Sequence, residues 1–333
     1  YRIMIFSLLV SGIGFFILQT ITSYHGLLLA IFLIMAVADM FRPAMFVSLG
    51  AYAKPENRTR ALTLVRLAVN LGFAAGPAMA GLLIMNVGYK GLFWVDGASC
   101  ILAISIFWWQ VKEKKKSIYT DKEHPGEVLT HSVFKDKPFW IFLFGTLITG
   151  ILFFQLFTTL PLYHKEQFNL TEFQSGLLLT LNGLLIFFLE MPIVSYIEKH
   201  KINKLKILAY GCFAMAGSFY ILLWNGWAGF LIIMMLFMTF GEMLAFPFSN
   251  SFAMSRAPIG HEGRYMAIFT MSFSMAHILS AKTGMEIIDR FSYQGNWFFM
   301  GTLGFIGVLL FYWVIKLVKK EPPRNLLTKK EVN

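Results

Sequence analysis

Four ionisable residues lie deep inside long apolar stretches of this sequence: Asp39, Arg42, Glu242 and His277. A charged side chain at the centre of a bilayer costs about 2.5 kcal/mol or more, so such groups serve ion pairing, substrate binding or proton transfer. Asp39 and Arg42 are three residues apart on one predicted helix face, where they could neutralise each other or contact a substrate. Glu242 has no basic residue within a helical turn, so its carboxyl group is a candidate for loading and releasing a proton.

Three further polar residues in predicted helices could line a substrate path: Glu190, Gln155 and Asn182. Glu190 either faces the helix bundle as a coupling group or closes the cytoplasmic end together with the lysine-rich segment that follows it. Gln155 and Asn182 either contact substrate or hydrogen-bond one helix to another. His277 is either a proton carrier or a hydrogen-bonded interior residue. The sequence leaves these alternatives open.

The elements that position these residues are predicted to be membrane-spanning helices. Hydrophobic residues make up 57% of the 333 positions and charged residues only 14%, whereas soluble domains carry about 25% charged residues. Apolar runs of about 20 residues, which is the length that crosses roughly 30 Å of hydrocarbon, recur along the chain. The sequence therefore predicts an all-α polytopic membrane protein with ten spans: 3–21, 27–53, 61–86, 91–111, 139–162, 174–197, 205–224, 227–254, 264–288 and 295–318.

The basic residues alternate between the two sides of these predicted spans. Of the 29 Lys and Arg residues, 23 fall on one side, three on the other and three within the spans. Because cytoplasmic loops accumulate Lys and Arg, we expect a multi-pass protein of the inner or plasma membrane with both ends in the cytoplasm. This placement accounts for the net charge of +11, so no nucleic-acid partner is expected.

The chain contains an internal repeat. A shift of 204 positions aligns Pro43 with Pro247 and Arg60 with Arg264, and it superposes the predicted spans. The second half has two helices that lack a counterpart in the first, so we expect a twelve-helix protein whose first two helices precede this chain. The predicted domains are an N-terminal bundle with four of six helices, a cytoplasmic linker, a C-terminal six-helix bundle and a cytoplasmic tail: 1–111, 112–138, 139–320 and 321–333.

The third predicted span carries a glycine-proline motif composed of Gly72, Gly76, Pro77 and Gly81. Glycines let a neighbouring backbone approach, and a proline removes one backbone donor and bends its helix. This motif resembles the fifth-helix motif of the drug:proton antiporter branch of the major facilitator superfamily, and residues 55–62 resemble the loop before that helix. The resemblance implies a fold of two six-helix bundles that are related by a parallel repeat. In that fold the motif would form a pliable seam between the two bundles. The alternative is ordinary packing of small residues.

These features predict a secondary active transporter that works by alternating access. The preferred version is proton-coupled export of small organic or drug-like molecules. One alternative is an uptake symporter for a sugar, peptide or organic acid, and another, from a different class, is a non-transporting membrane receptor or scaffold. The expected partners are a small-molecule substrate, protons and the lipid bilayer, with the chain acting as a monomer.

Enzyme chemistry is not expected. The sequence contains no GxxxxGK[ST], HExxH or GxSxG motif, so neither ATP-driven pumping nor hydrolysis is predicted. Cys100 and Cys212 both lie within apolar runs and lack metal-ligand spacing. We therefore predict no cofactor and no metal.

Overall fold

The structure is a computed structural model that describes residues 1–41, 44–45, 48, 58–112, 133–224, 226–257 and 262–321. The regular elements of these residues are helical, and a short 3-10 helix covers Val133–Lys135. The α helices with defined bounds are α1 (Arg2–Leu18), α2 (Tyr24–Ala38), α3 (Arg58–Val87), α4 (Tyr89–Gln110), α5 (Lys137–Phe154), α6 (Thr159–Phe168), α7 (Glu172–Lys199), α8 (Lys204–Ile221), α9 (Gly229–Arg256), α10 (Glu262–Arg290) and α11 (Tyr293–Lys320).

The all-helical architecture confirms the prediction from hydrophobic patterning. Apart from two spans that are interrupted, each predicted helix end lies within three residues of the observed one. Among the described residues, six segments are long and apolar enough to cross a membrane: Ala68–Val87, Tyr89–Gln110, Lys137–Phe168, Glu172–Lys199, Gly229–Arg256 and Tyr293–Lys320. α1 and α2 are apolar but shorter, so the count of ten spans stays a prediction.

The predicted helix over 27–53 is interrupted, and this part of the prediction was wrong. α2 ends just before Asp39, and the backbone N–H of Met40 donates to the carbonyl of Val37 at 3.2 Å, in the tight pattern of a helix end. Pro43 follows four residues after Asp39. In a continuous helix, a proline at that position would offer no N–H to the carbonyl of residue 39 and would clash with it, so the sequence favours a break here.

The span predicted over 139–162 also breaks, between α5 and α6. At the break the N–H of Leu156 donates to the carbonyl of Phe153 at 3.0 Å, three residues earlier rather than four. Pro161 lies four residues after Phe157, so it offers no N–H to the carbonyl of Phe157 and its ring crowds that carbonyl, which favours a break here. The break thus has a local cause in the sequence, and the buried hydrogen bonds of Gln155 described below lie at the same place.

The chain divides into two compact units. The first consists of Tyr1–Gly126 with Thr171–Thr180, and the second of Glu127–Leu170 with Leu181–Asn333. In the first, α1 packs on α2 and α4, and a Cβ at Gly97 would lie 2.9 Å from the carbonyl oxygen of Gly12, so the α1 and α4 backbones are nearly in contact. The first residues of α7 group with this unit, and the sequence-based domain limits stay a prediction.

The second unit has its core where α8 packs between α9 and α11 and where α5 packs against α10 and α11. The largest side chains there are fully enclosed, including Trp297, Phe139, Phe142, Phe219 and Phe311. Such dense aromatic packing fixes the relative positions of these helices. The polar residues that α5, α9 and α10 carry are therefore held on a rigid frame.

Candidate functional site

The most notable polar group of the second unit joins α7 to α9. The Nδ2 amide of Asn182 on α7 donates to Oε2 of Glu242 at 3.0 Å and to Oγ1 of Thr239 at 2.9 Å. Thr239 in turn donates to the carbonyl of Met235 at 2.6 Å. Glu242 is partly buried and Asn182 is 7% exposed. An acid and an amide that sequence reasoning could nominate only separately thus form one cluster.

Phenylalanine rings adjoin this cluster. Phe246 lies one helical turn after Glu242 on α9, and its ring centroid is 4.8 Å from that of Phe153 on α5 and 5.5 Å from that of Phe273 on α10. All three rings are partly rather than fully buried. The site therefore combines one carboxyl group with an aromatic surface formed by three helices.

The remaining candidates are placed differently. His277 is exposed and stacks on Phe154 with ring centroids 4.5 Å apart. Glu190 is 6% exposed on α7. Asp39 is exposed at the end of α2 rather than midway along a helix, and Arg42 lies outside the described residues. The proposed roles of these four residues stay predictions.

Gln155 forms a buried network at the break between α5 and α6. Its Nε2 donates to Oγ of Ser280 at 2.8 Å and to the Ser280 carbonyl at 2.9 Å. Its Oε1 accepts from Thr159 and, at 3.2 Å, from Nδ2 of Asn296. Ser280 closes the network by donating to the carbonyl of Ile151 at 2.9 Å. All four side chains are fully buried, so of the two uses predicted for Gln155 this structure displays helix-to-helix bonding.

The glycine-proline motif of α3 splits into two parts. A Cβ at Gly81 would lie 2.5 Å from Cα of Phe173, and a Cβ at Gly176 would overlap the carbonyl of Pro77. α3 and the first turns of α7 therefore approach backbone to backbone. No described atom lies within 4 Å of a Cβ built at Gly72 or Gly76. Contacts in this structure thus involve Pro77 and Gly81, and the role of the motif as a seam between bundles stays a prediction.

Sequence reasoning missed a buried ion cluster at the ends of four helices. Nη2 of Arg256, at the end of α9, donates to Oδ1 of Asp136 at 2.7 Å, and its Nη1 donates to Oε2 of Glu321 at 2.6 Å. Tyr265 on α10 donates to Oδ2 of Asp136 at 3.0 Å. Arg256 lies two residues beyond the predicted span over 227–254, among the 23 basic residues expected in connecting segments, yet its side chain is only 5% exposed. The available signal was Asp136 two residues before Pro138, which is a helix N-cap pattern.

Asp136 is also the N-cap of α5, because its Oδ1 accepts from the N–H of Phe139 at 3.2 Å. Burial alone would raise the pKa of its carboxyl group. The hydrogen bonds and positive charge of Arg256, together with the donors of Tyr265 and Phe139, outweigh burial and lower the pKa below its ordinary value. The cluster therefore favours the ionised form of Asp136.

Comparison with known proteins places the chain in a family. The sequence model of the Major Facilitator Superfamily matches residues 1–281. The chain belongs to this superfamily. An uncharacterized transporter of the same type from Bacillus subtilis, YttB, is 25% identical over 75% of this chain and 62% of its own length. A Na(+), Li(+), K(+)/H(+) antiporter from Planococcus maritimus is 19% identical over 86% of this chain and 73% of its own.

Solved structures give the same fold. A crystal structure of a POT family transporter in complex with a thioalcohol-conjugated peptide has a TM-score of 0.78, with 15% identity over 96% of this chain and 82% of the other. At that identity the likeness is one of fold. Together, the apolar helices and the family match indicate a multi-pass membrane protein that belongs to a family of secondary transporters.

Proposed function

We propose that this protein exports a small organic, drug-like molecule in exchange for protons, with Glu242 as the group that takes up and releases the proton. The observation that carries the proposal is the hydrogen bond from Asn182 to Glu242 within two apolar spans. A carboxyl group retained at such a position is costly. The amide partner lets it exist in either protonation state, because Asn182 can donate to the ionised form through nitrogen and accept from the protonated form through oxygen.

The surroundings of Glu242 support an organic substrate. The rings of Phe246, Phe153 and Phe273 offer an aromatic surface beside the carboxyl group. Such surfaces bind apolar bodies and attract cations. A substrate with a positive group and a proton would then compete for one carboxylate, which is the simplest physical basis for exchange.

The antiporter relative from Planococcus maritimus exchanges cations for protons according to its name, which supports exchange over uptake for this chain. The alternating placement of basic residues supports a cytoplasmic position for the linker over 112–138 and for both ends. Alternating access of two helix bundles, acting as a monomer in the cell membrane, completes the proposal.

The test uses the protein expressed from its complete gene and reconstituted into proteoliposomes that contain a pH-sensitive dye. Ethidium serves as the organic-cation probe, and a dipeptide, a hexose and NaCl are added in separate trials. We expect ethidium to drive proton movement in the opposite direction. Glu242→Gln should abolish this flux, whereas Asp289→Asn, which neutralises an exposed carboxylate near the end of α10, should leave it unchanged.

The alternatives give different results in the same assay. Proton movement in the same direction as the dipeptide or the hexose would establish symport and overturn the proposal. Flux with NaCl but not with ethidium would establish inorganic cation exchange. No flux with any solute, from protein that is folded by thermal unfolding, would favour a receptor or scaffold.

A further inference from the structure

The second unit carries a groove between α8 and α11 that the proposed transport does not use. A Cβ at Gly304 would lie 2.6 Å from Cβ of Ala216, and a Cβ at Gly307 would lie 2.9 Å from Sγ of Cys212. As the chain advances along α11, its contacts move backward along α8, so the two helices are antiparallel. The small residues bring the two backbones close together, which leaves a shallow groove along the exposed side of the pair.

The middle of this groove is apolar and exposed. Tyr210 and Phe213 on α8, and Phe305 and Leu309 on α11, are all more than a third exposed. The rings of Phe213 and Phe305 meet edge to face with centroids 5.5 Å apart, so the exposed stripes of the two helices adjoin. A Cβ built at Gly217, one turn beyond Phe213, would have no described atom within 4 Å. The groove therefore has free space at that depth.

One end of the groove is basic. Lys206 lies in the first turn of α8, and Lys316 and Lys320 lie in the last turns of α11, all exposed. The antiparallel register that pairs Gly307 with Cys212 places Lys206 level with Trp313, within about one helical turn of Lys316. None of these three lysines forms an ion pair with a carboxylate in the part of the chain that the structure describes.

The side chains that line the groove thus change from basic to amphipathic to apolar along its length. It begins with lysines, continues with the exposed rings of Tyr210, Tyr312 and Trp313, and ends with the apolar side chains of Phe213 and Leu309. This order matches the layers of a phospholipid monolayer, in which charged headgroups come first, the amphipathic boundary second and hydrocarbon third.

We propose that this groove binds an anionic phospholipid, with its headgroup phosphate between Lys206 and Lys316 and an acyl chain along Phe213, Leu309 and the space beside Gly217. The charge of the two lysines requires an anionic headgroup. A second copy of the chain fits less well, because two copies in one membrane share their orientation and would bring lysine ends together. The proposal is independent of what the protein transports.

The test is a titration of the purified protein, expressed from its complete gene, with lipid in detergent micelles followed by native mass spectrometry. Phosphatidylglycerol is compared with phosphatidylcholine of the same acyl chains. We expect one molecule of phosphatidylglycerol to bind tightly. Lys206→Gln with Lys316→Gln should weaken this binding about 25-fold, roughly fivefold for each lysine near the headgroup. The pair Lys206→Arg with Lys316→Arg should keep it.

Two further variants separate the groove from general attraction to a basic surface. Lys199→Gln with Lys201→Gln removes the same charge from exposed lysines at the end of α7 and the turn that follows, and it should leave the affinity within twofold of the original. Gly217→Leu fills the apolar part of the groove without changing charge, and it should weaken binding about tenfold. Both should unfold at the original temperature.

Three results would overturn the proposal. One is an equal loss of affinity in the Lys199 and Lys201 control, which would indicate diffuse electrostatics. Another is binding of phosphatidylcholine as tight as that of phosphatidylglycerol. The third is the appearance of dimers that the Gly217→Leu variant abolishes, which would make the groove an interface between copies of the chain.

Discussion

The amide of Asn182 on α7 donates a hydrogen bond of 3.0 Å to the carboxylate of Glu242 on α9. The two residues are sixty positions apart in the chain, and both stand on helices that are long and apolar enough to cross a membrane. Glu242 is therefore one member of a hydrogen-bonded pair rather than an isolated acid. A pair can be tested for coupling, which a single substitution cannot reveal.

If Asn182 acts through Glu242, then Asn182→Leu should slow proton-coupled transport roughly tenfold, because a hydrogen bond to a charged group contributes about 1.5 to 3 kcal/mol. In a Glu242→Gln background the same substitution should have little further effect. The measurement is the initial rate of probe-driven proton flux in proteoliposomes for the two single variants and the double variant. Losses that simply add would show that the residues act independently.

The buried position of Arg256 predicts a large effect on stability. Its side chain is 5% exposed and pairs with Asp136, of which 2% is exposed. Removing one partner of a buried pair leaves an uncompensated charge, so Arg256→Met should destabilise the fold by about 3 kcal/mol. Arg290→Met is the matched control, because Arg290 is 68% exposed in its pair with Glu286, and it should cost less than about 0.5 kcal/mol. Thermal unfolding in mild detergent measures both, and equal shifts would contradict the interpretation.

Asp136 predicts a dependence of stability on acid. Its pKa is lower in the folded protein than in the unfolded chain, so the unfolded state binds the proton first as pH falls. The contribution of Asp136 is therefore complete above its unfolded pKa of about 4 and is lost as the pH falls through its folded pKa. Asp136→Asn should be less stable at pH 7 and should lose less stability on acidification. A parallel decline of both proteins below pH 4, measured by thermal unfolding, would refute this assignment.

The two parts of the α3 motif should respond differently to the same substitution. Gly81→Ala places a methyl group 2.5 Å from Cα of Phe173, so the backbone must move, at a cost of about 1 to 3 kcal/mol. Gly72→Ala and Gly76→Ala meet no described atom within 4 Å and gain helix propensity, so they should be neutral or stabilising by up to about 1 kcal/mol. The measurement is the melting temperature of each of the three variants, compared with that of the original protein. A uniform effect would mean that close approach at Gly81 is not what distinguishes these sites.

Local patterns in the sequence predicted the membrane setting, the superfamily and most helix limits, whereas two spans predicted as continuous are interrupted in the structure. Apolar runs bounded by basic connectors are properties of consecutive residues, because each helix satisfies its own backbone hydrogen bonds and each span must match the thickness of the bilayer. The same local signals nominated Glu242, Asn182 and Gln155, since polarity within an apolar run needs no structure to be noticed. These local signals do not indicate which of the three residues contact one another.

Which polar residues form hydrogen bonds with one another depends on how the helices pack. Gln155 forms hydrogen bonds with Ser280 and Asn296, which lie on two later helices. Arg256, which lies after a predicted span in the sequence, is the buried centre of an ion cluster in the structure. In both cases the partners are more than sixty positions apart in the chain. Helix packing brings them within hydrogen-bond distance, and their spacing in the sequence does not indicate this.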